Sequence, residues 1–193
     1  MARLLVVYGT TDGHTARVAE FIGQELEALG HEATIARPDG AEPQPDAYQG
    51  VVIAASVHAG KFQSNVSRWA RAHARLLETR PSAFVAVCLG ILQQDAKVQA
   101  EVKDIVARFL EQAGWQPSLT VTVAGALRYT RYNWLTRWMM KRMAARAGGD
   151  TDTSRDHVYT DWEAVRRFVS AFGRRVADVT AGPPAAVGEL RAG

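Results

Sequence analysis

Only one cysteine, Cys88, occurs in the 193 residues of the chain. One thiol excludes an internal disulfide framework and suits a reducing compartment such as the cytoplasm. Long hydrophobic runs are missing too: no window approaches the roughly 20 apolar residues that a bilayer-crossing helix needs. The apolar run after Arg3 stops at Gly9, too early for the core of a signal peptide. The expectation is a protein that is soluble or lies on a membrane, without spanning it. His31, His73 and His157 share no ligand spacing with Cys88 or with a carboxylate cluster, so no metal is expected. Acidic residues are absent from one stretch. Arg128, Arg131, Arg137, Lys141, Arg142 and Arg146 follow one another with no Asp or Glu between them, although the net charge of the whole chain is only +3. A block of that density faces an anionic partner or forms a solvated helix face.

The rest of the chain alternates short apolar runs with stretches of helical period, and its length fits one domain with a sizeable core. Leu4–Tyr8, Glu32–Arg37, Val51–Ser56, Ala83–Leu89 and Leu119–Ala124 read as strands. Helical spacing marks Val18 to Leu29, Ser67–Leu77, Val98 to Leu110 and Trp162–Val179. Strands alternating with helices predict right-handed βαβ units, and hence an open parallel sheet of five strands with helices on both faces. Residues 1–179 form the predicted domain. It carries an insert at about 126–156, too long to be an idle loop and placed before the last helix. The tail, 180–193, holds Gly182, Pro183 and Pro184 and reads as disordered.

Chemistry enters after the first strand, at Gly9-Thr10-Thr11-Asp12-Gly13-His14-Thr15. Small residues opening a helix expose backbone N–H groups, and the helix N-terminus adds positive potential for an anion. The hydroxyls of Thr10, Thr11 and Thr15 add donors. The loop lacks the Lys of a P-loop and the Gly-x-Gly-x-x-Gly of a dinucleotide fold, which favours a monophosphate ester. An ordinary turn capped by Thr11 or Asp12 is the plain alternative. His14 counts there for its backbone N–H rather than its ring. In a doubly wound sheet, ligands sit at the carboxyl ends of the strands beside the switch point. Two further small-residue loops end strands in that region: Ala55-Ser56-Val57-His58-Ala59-Gly60, and Cys88-Leu89-Gly90. Together the three loops point to flavin mononucleotide (FMN), with Thr10 to Thr15, Ala55 to His58, Gly60, Leu89 and Gly90 as its contacts.

The chain resembles the flavodoxin superfamily, and within it the menaquinone-dependent protoporphyrinogen oxidases. The specific segments are Thr11-Asp12-Gly13-His14-Thr15, Ala55-Ser56, Ala124-Gly125-Ala126-Leu127-Arg128-Tyr129, Gly148-Gly149-Asp150-Thr151-Asp152-Thr153 and Tyr159-Thr160-Asp161-Trp162. The resemblance implies a flavodoxin-like fold and an FMN enzyme that oxidises protoporphyrinogen IX. Electrons would pass to menaquinone or another quinone, late in haem synthesis. The family often carries a basic residue and a Tyr where this chain has His58 and Ala59. An aromatic partner for the flavin ring must then come from elsewhere, and Phe62 is a candidate. His58 is a candidate for proton transfer, since its reference pKa lies near neutrality.

The insert mixes its charges with aromatics. On a helix, Trp134, Leu135, Trp138, Met139 and Arg142 lie near one another, while Arg128, Arg137 and Lys141 can point away. Trp at a lipid–water boundary and Lys or Arg on anionic headgroups suit a protein held on the inner face of the cell membrane. A second reading pairs Arg128, Arg131 or Lys141 with the propionates of the porphyrinogen. A third packs the aromatics on the domain. Nucleic acid is not expected as a partner, and a homo-oligomer stays open. Two rival functions remain. An electron-carrying flavodoxin should be acidic, against a pI near 9.2 here. A nicotinamide-dependent quinone reductase needs a second nucleotide site.

Overall fold

The computed structural model describes residues 1–39, 44–127, 129–131, 138, 141–142, 144–145 and 151–181. Its centre is a parallel five-stranded sheet in the order β2-β1-β3-β4-β5. The strands are β1 (Arg3–Gly9), β2 (Glu32–Ala36), β3 (Gly50–Ser56), β4 (Ser82–Val87) and β5 (Leu119–Val123). Four helices connect and flank them: α1 (His14–Ala28), α2 (Ser64–Glu78), α3 (Ala96–Ala113) and α4 (Trp162–Ala181). The predicted sheet is therefore present, with β2, β4 and β5 each ending one or two residues earlier than predicted.

The alternation of strand side chains divides the core. Leu4, Val6, Val52, Ala54, Val85 and Val87 face α1 and α4, where they meet Val18, Ile22, Phe168 and Phe172. Leu5, Val7, Val51, Ile53, Phe84 and Ala86 face α2 and α3, where they meet Val66, Trp69, Ile105 and Phe109. Both faces being covered, β1, β3 and β4 are apolar along their length. Each fully buried Leu, Ile or Val contributes about 1.5–3 kcal/mol of transfer free energy. Asp161 caps α4 by accepting from Ala164 N at 3.0 Å, and Asp95 does the same for α3 through Lys97 N at 2.8 Å. Helix α4 continues past Val179 to Ala181, and the Thr180 hydroxyl bonds back to Val176 O at 2.8 Å. The remaining tail, 182–193, lies outside the described residues.

The two ends of the insert are joined. Ala126 stands opposite Val158 and Leu127 opposite His157, in an antiparallel ribbon of β6 (Ala126–Leu127) and β7 (His157–Val158). Behind it Leu127, Tyr129 and Ala144 are buried against Leu89 and Tyr159. Asp156 reinforces the join, its Oδ1 accepting from Thr130 N at 3.0 Å and from Thr130 Oγ1 at 2.8 Å. Strands of two residues carry no periodic signal, so the sequence reading gave no hint of this ribbon.

Candidate functional site

The strand order reverses between β1 and β3, and their carboxyl ends are in register. Gly9 pairs with Ala55, and Ser56 pairs with Val87 on the next strand. The three small-residue loops therefore leave the same sheet edge side by side, at the place where such sheets bind ligands.

The first loop is shaped by backbone conformation. Gly13, not Thr11 or Asp12, occupies the N-cap of α1; its φ is 87° and no side chain caps the helix. The expectation of Thr11 or Asp12 as N-cap is thereby corrected, and the loop opens directly onto the positive end of α1. Thr10 Oγ1 accepts from Gly13 N at 2.8 Å, which folds the loop over. Gly9 is required because a Cβ there would lie 2.3 Å from Val66 Cγ2.

Gln63, which no sequence motif singles out, ties the first two loops together. Its Nε2 donates to Thr11 Oγ1 at 3.1 Å and to Ser56 Oγ at 2.9 Å. A hydroxyl that accepts from an amide retains its own O–H for another acceptor. Thr10, Thr11 and Ser56 are all in that condition. Thr15 adds a further donor: its Oγ1 is buried and has no partner among the described residues. Hydroxyl protons and helix N–H groups converging without a Lys or Arg suit a single phosphate ester, so the residues present fit the phosphate of a mononucleotide.

In the second loop, His58 N donates to Lys61 O at 2.8 Å and Lys61 N returns a bond to His58 O at 3.1 Å. Ala59 and Gly60, with φ of 48° and 74°, form the turn between them, a pattern that closes two-residue hairpins. The His58 side chain is exposed. Val57 N is held by Val87 O at 2.9 Å. In the third loop Leu89 is half-buried against the insert, and Gly90 keeps the chain close to Val102, 3.0 Å from where a Cβ would sit. Burial pushes the Cys88 thiol up, above the opposing effect of hydrogen bonds to the Gly90 and Ile91 backbone. A raised thiol pKa lowers the share of the reactive thiolate.

A profile described as a flavodoxin domain matches residues 5–154. Protoporphyrinogen IX dehydrogenase (quinone) of Escherichia coli strain K12 is 36% identical over 182 residues, covering 94% of this chain and 98% of that one. The enzyme of the same name from Leishmania major is 36% identical over 172 residues, 88% of this chain and 74% of that one. The chain belongs to this flavodoxin-domain family. Among solved structures, oxidised flavodoxin 1 of Bacillus cereus has a TM-score of 0.53 at 13% identity, covering 89% of this chain and 97% of that one. A mutant flavodoxin of Pseudomonas aeruginosa has a TM-score of 0.54 at 12% identity, covering 91% and 99%. These likenesses carry the fold alone. Fold and family together indicate a flavin cofactor.

Within this family member, two expectations are corrected. Phe62 is not free to stack on a flavin ring: it packs against Phe84 and Phe109, with ring centroids 5.2 and 4.8 Å away. The His14 ring matters more than its place in the loop suggested. It is 5% exposed and its Nε2 lies 2.7 Å from Thr160 Oγ1. Thr160 Oγ1 donates to Ala124 O at 2.7 Å, which uses the only hydroxyl proton, so His14 Nε2 carries the hydrogen of the other bond. The first residue of α1 is thereby bonded to Thr160, just past the return of the insert, and through it to Ala124, just before its start.

On the insert itself, Arg128 and Trp134 lie outside the described residues, as does the Arg131 side chain. Trp138 is 56% exposed. The Arg142 guanidinium stacks over it, 5.0 Å from the ring centroid, and Lys141 is exposed beside them. At the return, His157 Nε2 meets Asp152 O at 2.8 Å. Bonds from the Ser154 hydroxyl and N–H hold the Asp152 carboxyl below its ordinary range. Among the described residues no helix is long and apolar enough to cross a membrane.

Proposed function

We propose that this chain oxidises protoporphyrinogen IX to protoporphyrin IX with FMN as cofactor and a quinone as acceptor, on an anionic membrane surface. The observation that carries the reading is the likeness to protoporphyrinogen IX dehydrogenase (quinone). Alignment over 94% of this chain takes in most of the insert as well as the flavodoxin-like core. The flavodoxins among the structural neighbours, at 12–13% identity, share only the fold with this chain.

The residues divide the work by chemistry. Thr10, Thr11, Gly13, Thr15 and Ser56 present hydroxyl and backbone donors to the FMN phosphate, with Asp12 and His14 completing the loop. Ala55, Val57, His58, Gly60, Leu89 and Gly90 let backbone lie close to the flat ring. Bound there, FMN supplies two-electron chemistry between porphyrinogen and quinone. Leu89, in the third loop, packs against Leu127, Tyr129 and Ala144 at the base of the insert. The exposed Trp138 with Arg142 and Lys141 supports contact with anionic lipid, which brings the site to a lipid-soluble acceptor.

Anaerobic mixing of the FMN-loaded protein with protoporphyrinogen IX tests the reading. The flavin absorbance should bleach, then return when a menaquinone analogue is added. Failure to bleach with porphyrinogen, alongside bleaching by a nicotinamide cofactor, would replace the proposal with a quinone reductase. The phosphate seat has its own test: Thr15→Val should weaken FMN binding about tenfold, as loss of one charge-assisted bond does, and leave riboflavin binding unchanged. Equal weakening of both would place the phosphate elsewhere. Sedimentation with anionic vesicles should fall on Trp138→Ala with Lys141→Gln, and rising salt should reduce it further.

A further inference from the structure

Helices α2 and α3 enclose a cleft of about 750 Å³ on the sheet face opposite α1 and α4. Gly60 and Lys61, from the hairpin that ends the second flavin loop, form one end of it. Its floor includes the apolar Phe62 and Phe109, and its walls carry Lys61, Arg68, Arg71 and Arg108 with no carboxylate among the lining residues. Some arginines elsewhere on the surface are paired with carboxylates: Arg37 with Asp39, Arg155 with Asp152, Arg166 with Glu25 and Glu163. None of the four cations of the cleft has an ion pair among the described residues. Arg71 is further steadied by donating from Nε to Gln112 O at 3.1 Å.

Like charges gathered around one hollow repel one another, and an anionic occupant relieves that repulsion. The apolar floor adds a second requirement. A bare inorganic anion gains nothing from Phe62 and Phe109, whereas a ligand with a flat apolar body and carboxylates at its edge satisfies floor and walls together. The volume falls within the usual range for small-molecule sites, about 300–1,000 Å³. Topology supplies the connection to the flavin. Strands β3 and β4 are neighbours, α2 follows the loop after β3, and α3 follows the loop after β4. The cleft therefore begins at the end of the loop after β3, one of the loops of the flavin crevice, and runs between α2 and α3.

We infer that the α2–α3 cleft receives the carboxylate edge of the tetrapyrrole substrate, with Arg68, Arg71 and Arg108 holding the two propionates. This rests on the proposed dehydrogenase function and adds where the substrate is gripped. It also shifts the propionate-binding role from the basic insert to the core of the domain, leaving the insert for lipid.

The test uses the FMN-loaded full chain and protoporphyrin IX, the stable product, followed by its fluorescence on binding. Three exposed charge pairs of ordinary strength together amount to about a tenfold change in affinity. The triple variant Arg68→Gln, Arg71→Gln, Arg108→Gln should weaken protoporphyrin IX binding by about that factor. KM for protoporphyrinogen IX should rise in parallel while kcat and flavin content hold. The dimethyl ester of protoporphyrin IX, which lacks both carboxylates, should bind wild type and variant alike. The single reversal Arg108→Glu should act in the same direction, and thermal melting should show that each variant is folded. If wild type oxidises the porphyrinogen and the triple variant binds protoporphyrin IX equally well, the cleft assignment fails alone. Reduced sedimentation with anionic vesicles and unaltered porphyrin binding would also overturn it, in favour of a lipid-facing surface. If wild type neither binds protoporphyrin IX nor oxidises protoporphyrinogen IX, the dehydrogenase reading falls, and the cleft assignment with it.

Discussion

Replacing Thr160 by Val isolates the contact between the phosphate loop and the insert. The Thr160 hydroxyl accepts from His14 Nε2 and donates to Ala124 O, each at 2.7 Å, in a place where His14 is 5% and Thr160 8% exposed. Valine has nearly the same shape and neither function. It leaves an imidazole N–H and a carbonyl without their partner and shut away from water, each at a cost of about 1–3 kcal/mol. About 1 kcal/mol returns from the added apolar surface, so the net loss is about 1–5 kcal/mol. That is a large share of the roughly 5–15 kcal/mol that separates folded from unfolded chains. Thr160→Ser keeps both bonds and removes one methyl, so it should cost about 1 kcal/mol. Urea unfolding of the apoprotein, with m-values compared, measures both. In the folded protein, imidazole nitrogen shifts should report the Nε2–H tautomer of His14 at neutral pH. Equal stability of the Val and Ser variants, or an Nδ1–H tautomer, would refute the hydrogen-bond argument.

Three other perturbations follow from the loops. Gly9→Ala puts a methyl 2.3 Å from Val66 Cγ2, and the shift it forces should cost about 1–3 kcal/mol and weaken FMN retention, both measurable by melting with and without flavin. Ala59→Gly removes a side chain from a left-handed position at φ 48° and should stabilise by up to about 1 kcal/mol; a loss of stability would mean that the turn is strained for another reason. Because burial raises the Cys88 pKa, its alkylation rate should climb with pH only above the range of an ordinary thiol. The same shift contributes stability that is complete below the thiol pKa of the unfolded chain and lost as pH rises through the higher folded value. Cys88→Ala should flatten that alkaline loss.

The parallel sheet was legible because its strands are buried on both faces, so Leu4 to Val7 and Val51 to Ala55 read as unbroken apolar runs. The phosphate loop was legible because Gly9, Gly13 and the threonines are contiguous. What escaped the sequence was contact between distant residues. Gln63 is one polar residue among many on the approach to α2, and only its position places it against both Thr11 and Ser56. Phe62 looked available for the flavin ring because its loop borders the crevice, but it packs inward against Phe84 and Phe109. His14 and Thr160 are 146 residues apart in the chain, and neither carries a local pattern that announces the other.

That last pair changes how the insert is understood. A basic, aromatic excursion can be a loose arm whose only duty is to touch lipid or substrate. Here its two ends are closed by β6 and β7, its base is buried around Tyr129, and Thr160 bonds it to the first residue of α1. A ligand held by Gly13 and Thr15 therefore acts on the helix that also carries the His14 contact. By linkage, whatever flavin binding adds to the order of α1 it shares with the base of the insert. The consequence is measurable: FMN should slow amide exchange at Leu127 and Val158, far along the chain from the phosphate loop. The Thr160→Val variant should lose that protection while still binding FMN. Protection that persists in the variant would show that the ribbon is ordered by its own packing, and that the buried histidine is only a structural tie.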